Sequence, residues 1–398
     1  MADRSGDPLI HALSLVAPGT QLRAGLDRIL QAKGGALVVL GDGPEVLSIC
    51  TGGFLLDAEF TPQRLSELAK MDGAVILAAD ASRIARANVH LVPRASIPTS
   101  ETGTRHRTAE RVARSVDVPV ITVSEEMSTV AVYRHGRKHT LEPTARVLDR
   151  ATQALSTVQR FKTRFDVALA TLSTLEVEDS VSVRDVIAVL QPGEMVVRFS
   201  EEIREHLVEL GTDGRLIRLQ VDELGSGVEE ALHLVMLDYV ADIGAGGLEA
   251  GTGDGAATGG ARVGGSRAKS GKKGSGQAGD RRAGRERKAA SALVALHTLD
   301  PEDLLDMAKV ARALGLGSGS AALDEAVESR GLRLLGHLPR VSDVTIERIV
   351  ERFTTLPRIM QASLGDLEEI GGVGGSKARA VKNGLARLVE ASILDRYD

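Results

Sequence analysis

The chain has 398 residues, a net charge of −5, one cysteine, no tryptophan and 2% aromatic residues. A single core stops growing at roughly 250 to 300 residues, so several domains are expected, and one cysteine excludes a disulfide framework and a Cys-based zinc site. The negative charge argues against a basic nucleic-acid coat, and the lack of aromatics against single-strand binding by base stacking, which leaves only local basic patches.

The first residues, Met1 to Pro8, lack the apolar core of a signal peptide. No apolar run approaches the roughly 20 residues that cross a bilayer, so a cytoplasmic protein is expected. Leu22–Gln31 carries a helical pattern and Ala36–Leu40 reads as a buried strand. The turn Gly41-Asp42-Gly43-Pro44 then leads to a second strand at Val46–Cys50, with Cys50 as a small buried hydrophobe. Further strands are expected at Ala74–Ala79, Val89–Val92, Val118–Val123 and Thr129–Tyr133, and His135-Gly136 turns into another at Lys138–Leu141. The alternation predicts an α/β domain over residues 1–143, a mixed sheet flanked by helices. His90, His135 and His139 read as ordinary strand or surface residues.

Two motifs in this domain carry chemistry. Met71-Asp72-Gly73-Ala74 opens an apolar run, and Gly103-Thr104-Arg105-His106-Arg107-Thr108 follows about thirty residues later. An acidic residue beside a Gly-Ala pair can hold a metal or a ribose hydroxyl where the backbone must come close, and two guanidiniums with an imidazole suit phosphate. Taken singly, the first also fits a plain turn and the second a solvated helix face. The polar segment Ile97–Thr102 feeding the second motif predicts a loop entering a helix, with Thr104 as N-cap and phosphate at the positive helix end.

From Thr144 to about Glu176 a long amphipathic helix is expected, followed by helices at Val183–Leu190, Met195–Leu210, Asp222–Asp242 and Pro301–Leu314. They define a helical spine over 144–331. It is interrupted at about 244–290 by a Gly-rich insert with 15 of the 43 glycines in 244–284, and ten Lys/Arg against two acids between Arg262 and Lys288. This segment reads as either a flexible solvated loop or a phosphate-binding arm. It contains no P-loop: Ser266 stands where Ser270-Gly271-Lys272-Lys273 would need an upstream glycine.

In the final segment, 332–398, Ile370-Gly371-Gly372-Val373-Gly374-Gly375-Ser376-Lys377-Ala378-Arg379 resembles a helix-hairpin-helix. Gly372 and Gly374 would permit a tight turn, and its backbone N–H groups, with those of Gly375 and Ser376, would meet a DNA phosphate beside Lys377 and Arg379, without reading sequence. A ligand-free turn or a protein contact fits the same pattern. Leu338–Ile346 has the same outline, with Arg340 and Ser342 in place of glycines, and reads as a degenerate first hairpin.

Asp72-Gly73-Ala74 with Arg105-His106-Arg107 resembles the diadenylate cyclase domain. With the spine and the C-terminal hairpin, and stretches such as Ser100–Ala113, nearly the whole chain resembles the DisA family of DNA integrity scanning proteins. That resemblance implies condensation of two ATP into cyclic di-AMP and pyrophosphate. Asp72 would hold Mg²⁺ or Mn²⁺ and activate a ribose 3′-hydroxyl; Ser124-Glu125-Glu126-Met127 resembles the corresponding stretch of membrane-anchored diadenylate cyclases, which makes Glu125 a further metal candidate. Gly73, Ala74 and Leu91 would take the adenosine; Thr104, Arg105, His106, Arg107 and Thr108 the phosphates; and Ser124 the base or phosphate. His106 stays open between donor and metal ligand. The resemblance further implies a homo-octamer with cyclase domains head to head, nucleoid association, and regulation by branched DNA. A DNA-binding repair or checkpoint protein that only senses ATP, and a purely structural scaffold, are the other classes.

Overall fold

The computed structural model describes residues 7–241, 275–339 and 341–394, and these form two compact units: the described part of 1–156 together with 201–222, and 157–200 together with 223–398. The first unit opens with helices α1 (Pro8–Leu15) and α2 (Gln21–Gln31). The Thr20 hydroxyl caps α2 by accepting from the Arg23 N–H, and Leu22, Leu26 and Ile29 place a buried stripe on one face. There follow β1 (Ala36–Leu40), α3 (Pro44–Ser48), β2 (Cys50–Thr51), β3 (Phe54–Glu59), α4 (Pro62–Leu68), β4 (Ala74–Leu77), β5 (Arg83–Leu91), α5 (Thr104–Ser115), β6 (Val120–Ser124), β7 (Thr129–Arg134) and β8 (Arg137–Thr140).

The strands form one mixed sheet in the order β2-β5-β4-β1-β6-β7-β8, with β3 also on β5; only β1 and β4 run parallel among the pairs of this sheet. The central strands Ala36–Leu40 and Ala74–Leu77 are buried at every position, as continuous apolar runs covered on both faces must be. One face packs against α2 through Leu22, Leu26 and Ile29, and the other against α5 through Ala109, Val112 and Ala113.

The expected strand at Val46–Cys50 is instead α3 followed by the two residues of β2. Gly43 takes the N-cap position and Pro44 the first helical turn, where its missing N–H costs nothing, and so short an apolar run cannot be assigned by periodicity. Cys50 is half-buried rather than enclosed.

In the helical region, α6 (Thr144–Glu178) is continuous as expected. The two helices expected on either side of Pro192 are one, α7 (Val183–Leu210). A Cβ at Gly193 would lie 2.7 Å from Leu232 and 2.9 Å from Phe165, so this glycine serves close helix packing and not a break. The expected Asp222–Asp242 helix is split into α8 (Arg215–Gly225) and α9 (Val228–Tyr239) at Gly227, whose φ is +73°. Of the Gly-rich basic insert, residues 244–274 lie outside the described residues. Its last part is not a loop: α10 runs from Ser275 to His297, and Arg282 pairs with Glu347 at 2.8 Å. The alanines and charged helix formers after Asp280 outweigh Gly284.

The remaining helices are α11 (Pro301–Leu304), α12 (Met307–Ala313), α13 (Leu332–Gly336), α14 (Asp343–Phe353), α15 (Leu356–Gln361), α16 (Leu364–Glu368) and α17 (Gly375–Leu394). The Pro301–Leu314 expectation thus divides at Asp306, which caps α12 through the N–H groups of Ala308 and Lys309. Helices α13 to α17 share one apolar core that includes Leu335, Ile349, Ile359, Leu367, Val373, Ala378 and Val381.

A buried polar cluster fastens α13 to α6 and α9. The Asp238 carboxylate accepts the Leu332 and Arg333 N–H groups at 2.8 and 2.9 Å, while the Arg333 guanidinium pairs with Glu176, which also accepts from Tyr239 at 2.6 Å. Burial, then the charge of Glu176, pushes Asp238 up to about 7 from an ordinary 3.8. The fold therefore keeps a proton that the unfolded chain has already released. This contribution to stability is full at low pH and is lost as pH rises through about 7. The melting midpoint of this unit should fall between about pH 4 and pH 7 and level off above, and Asp238→Asn should flatten that dependence in a calorimetric pH series; an equally steep fall in the variant would assign it to another group.

Candidate active site

Strand register gathers the expected nucleotide residues at one end of the sheet. Val38 pairs with Val75 in the parallel β1–β4 ladder, so Ala36 stands level with Gly73. Ala74 pairs with Val89, Ala36 with Val123, and Ser124 with Thr129. Leu91 at the end of β5, Asp72-Gly73-Ala74 at the start of β4, Gly35 at the start of β1 and Ser124 at the end of β6 therefore line the same edge.

Gly73 adopts φ +119°, and a Cβ there would fall 2.8 Å from the Asn88 carbonyl carbon and 3.0 Å from the Val89 nitrogen. Asn88 itself has φ +54°, within the irregular stretch of the β4–β5 ladder. The β5 backbone thus presses directly on Gly73, and only glycine fits. Asp72 is exposed immediately before it, while Ala74 and Leu91 are buried.

Helix α5 arrives at the same edge. Its N-cap is Gly103 and not Thr104, which is the first helical residue, and no side chain caps the first turn. Those amides remain available to an anion. The Arg105 guanidinium lies across Gly35, where a Cβ would stand 2.1 Å from Nη1, so Arg105 is held one strand away from Gly73. Neither Arg105 nor the exposed Arg107 makes a side-chain hydrogen bond or ion pair among the described residues. The Thr108 hydroxyl is spent on the Thr104 carbonyl at 2.9 Å. Ser124 Oγ accepts the Met127 N–H at 3.2 Å and so closes the turn in which Glu125 is exposed.

His106 is brought to Thr122 and Tyr133: Nδ1 lies 3.1 Å from Thr122 Oγ1 and 2.9 Å from Tyr133 Oη. Burial lowers the His106 pKa, opposed by Glu101 and aided by Lys138 and Arg105. The loop before α5 is pinned from the helix itself. Buried Glu110 accepts from the Thr99 hydroxyl at 2.5 Å and the Ser100 N–H at 3.0 Å, Arg111 donates to the Ile97 carbonyl and Arg114 to the Pro98 carbonyl. These bonds hold Glu110 ionised below its ordinary range despite burial. Gly35, Thr122 and Tyr133 carried no local signal in the sequence.

In the second unit, Gly372 has φ +88° between α16 and α17, as the expected turn requires. Gly374 does not share this role: its φ is not positive and open space surrounds its Cβ position. Gly375 is the first residue of α17, Ser376 is exposed, and Ile370, Val373, Ala378 and Val381 pack the turn. The basic groups are folded onto the turn: Lys377 Nζ reaches the Gly372 carbonyl and Thr345 Oγ1, both at 3.2 Å, and Arg379 Nε the Gly375 carbonyl at 3.1 Å. Arg348, which the sequence did not single out, donates to the Gly371 carbonyl at 2.6 Å. In the first hairpin Ser342 is the N-cap of α14, and Arg340 lies outside the described residues.

Two family models match the chain: the DisA bacterial checkpoint controller nucleotide-binding domain over residues 23–138, and the DisA bacterial checkpoint controller linker region over 141–249. A DNA integrity scanning protein DisA from Parafrankia sp. (strain EAN1pec) is 45% identical over 398 residues, all of both chains. The one from Streptomyces avermitilis is 47% identical over 392 residues, 98% of this chain and 95% of its own. The chain belongs to the DisA family. A solved structure of DacA from Staphylococcus aureus covers 34% of this chain and 88% of its own at 24% identity, with a TM-score of 0.26. The nucleotide-binding match contains the whole sheet edge from Gly35 to Ser124. Among the described residues no helix is long and apolar enough to cross a membrane.

Two glycines separate packing from binding. Gly73→Ala should lower stability by about 1 to 3 kcal/mol, because φ and the Asn88 backbone both oppose a side chain. Gly35→Ala displaces only the flexible end of Arg105, so its melting point should stay near wild type while nucleotide affinity falls. Thermal melts and nucleotide titrations of both variants check this; a large melting loss in Gly35→Ala would make Arg105 a structural residue.

Proposed function

We propose that the protein is a diadenylate cyclase, condensing two ATP into cyclic di-AMP with release of two pyrophosphates, and that its C-terminal glycine turn binds duplex or branched DNA without sequence preference. The observation behind this reading is the convergence at one sheet edge of an exposed carboxylate, Asp72, presented by a glycine that packs against the β5 backbone, with Arg105 and Arg107, which make no side-chain hydrogen bond or ion pair among the described residues. Each bond forms when a ribose 3′-hydroxyl attacks the α-phosphorus of the other ATP and the bond to pyrophosphate breaks. Asp72 would hold the ion that makes that hydroxyl more acidic, and the hydroxyl proton passes to water. Arg105, Arg107 and the uncapped amides of α5 offset charge on the phosphates as it develops, and Gly73, Ala74 and Leu91 offer the adenosine a flat backbone and apolar wall.

Mg²⁺ or Mn²⁺ fits this donor set. Among the described residues no three His, Cys, Asp or Glu cluster as a metal cage; a site of one carboxylate, with Glu125 as a second candidate, leaves the remaining positions to substrate phosphates and water, which is how Mg²⁺ is usually held. When bound, the ion supplies charge neutralisation and a more acidic hydroxyl. Making two equivalent bonds calls for two sites facing across a two-fold axis, so the active form is a homo-oligomer, with an octamer as the family expectation. The exposed Phe54, Leu55 and Leu56 on β3 support self-association. A cytoplasmic, nucleoid-associated location accords with DNA binding.

Asp72→Asn should abolish cyclic di-AMP formation with Mg²⁺ or Mn²⁺ while ATP still binds, as read by mass detection of product and by titration. If wild-type protein forms no product but binds ATP, the nucleotide domain is a sensor. Arg105→Ala with Arg107→Ala should weaken ATP binding at least about tenfold with the fold intact, since each removes a charge-assisted contact. For the DNA turn, Gly372→Val should reduce affinity for duplex and four-way junctions alike, and wild-type affinity should fall linearly with salt on a log-log plot. Unchanged junction affinity in that variant would assign DNA binding to another surface.

A further inference from the structure

The Nδ1 edge of His106 faces two hydroxyls, Tyr133 Oη at 2.9 Å and Thr122 Oγ1 at 3.1 Å. A tyrosine hydroxyl has one proton to give. Tyr133 donates to Glu101 Oε1 at 3.2 Å, and the same oxygen accepts from Lys138 Nζ at 2.7 Å. Glu101 carries a full negative charge that a neutral imidazole nitrogen lacks, so the tyrosine proton goes to Glu101 although that contact is the longer of the two and Lys138 shares the same oxygen. Tyr133 then offers His106 only lone pairs, and the hydrogen between them has to be carried by Nδ1. In a neutral ring the other nitrogen is bare, and Nε2 has no hydrogen-bond partner among the described residues.

The arrangement is well supported. Glu101 sits on the loop that Glu110, Arg111 and Arg114 tie to α5, while Lys138 comes from β8 and Tyr133 from β7. Tyr133 is 1% exposed and Thr122 0%, so water does not compete for these bonds. We propose that Tyr133, oriented by Glu101 and Lys138, is a positioning residue that fixes His106 as its Nδ1–H tautomer, so that Nε2 enters the nucleotide site as a lone-pair donor. Its ligand is an electron-poor group, a nucleotide hydroxyl or a bound cation, and not a bare phosphate oxygen. This rests on the nucleotide-site reading and removes the choice that the sequence left open for His106, leaving the phosphates to the two arginines and the first-turn amides of α5.

The test is ¹⁵N spectroscopy of histidine-labelled full-length protein, with the His106 signals identified by their loss in His106→Gln. Wild type should show a protonated Nδ1 and a bare Nε2. Glu101→Ala frees the Tyr133 proton to turn onto Nδ1 and should therefore switch the ring to the Nε2–H tautomer. Tyr133→Phe should leave a mixture of the two. A bare Nε2 that shifts on ATP without metal marks a hydroxyl ligand, and one that shifts on MgCl₂ alone marks a cation; either supports the proposal. An Nε2–H ring in wild type, an unchanged tautomer in Glu101→Ala, or a second proton gained on ATP binding would overturn it. In turnover, Tyr133→Phe should lower kcat by about tenfold or more with KM for ATP unchanged, as for a partner that orients a ligand from behind. Absence of cyclic di-AMP from wild type would sink the cyclase reading and leave the tautomer result standing on its own.

Discussion

The site depends on one close approach, that of the β5 backbone to the α-carbon of Gly73. With Asn88 at φ +54° and Gly73 at φ +119°, the two chains meet where no side chain can stand. That contact fixes the point at which β4 begins, and so where Asp72 is presented. Parallel pairing of β4 with β1 then sets Gly35 beside it, and the bare surface of Gly35 is what receives Arg105. Two glycines one strand apart thus bring a carboxylate and a guanidinium from segments thirty residues apart to a common edge.

Helix α5 does the rest with different sides. Ala109, Val112 and Ala113 anchor it to the sheet, Glu110, Arg111 and Arg114 hold the loop that precedes it, and its first turn is left without a cap. A buried carboxylate that accepts a hydroxyl and a backbone N–H while pairing with Arg114 at 2.7 Å is fully satisfied, which makes the loop part of the scaffold. The loop in turn delivers Glu101 to Tyr133, so the order of the helix start and the state of His106 share one source.

Much of this was legible in the sequence, for reasons that can be named. The continuous apolar runs Ala36–Leu40 and Ala74–Leu77 read as buried strands and are buried strands, and the spacing of Asp72-Gly73-Ala74 to Arg105-His106-Arg107 is a pattern specific enough to point to the family that the full-length relatives then showed. Local patterns failed where tertiary contact decides. Pro192-Gly193 looks like a break but lies inside α7, because Gly193 is packed under Leu232 and Phe165. Thr104 looks like a cap, yet Gly103 takes the position, and Gly374 looks like a turn residue, yet only Gly372 needs a positive φ. Tyr133 could not have been found at all: it is a strand aromatic among others until β7 is seen to lie under His106.

The Asp72 turn and the start of α5 must bind one nucleotide together if this edge is the reaction site. The most direct measurement is a crystal structure of the full chain with a non-hydrolysable ATP analogue and Mg²⁺. The phosphates should lie within hydrogen-bond reach of Arg105 and Arg107, the ion on Asp72, and the adenosine against Gly73 and Leu91. A nucleotide bound with its phosphates away from α5, or with Asp72 facing solvent and no ion, would contradict that assignment.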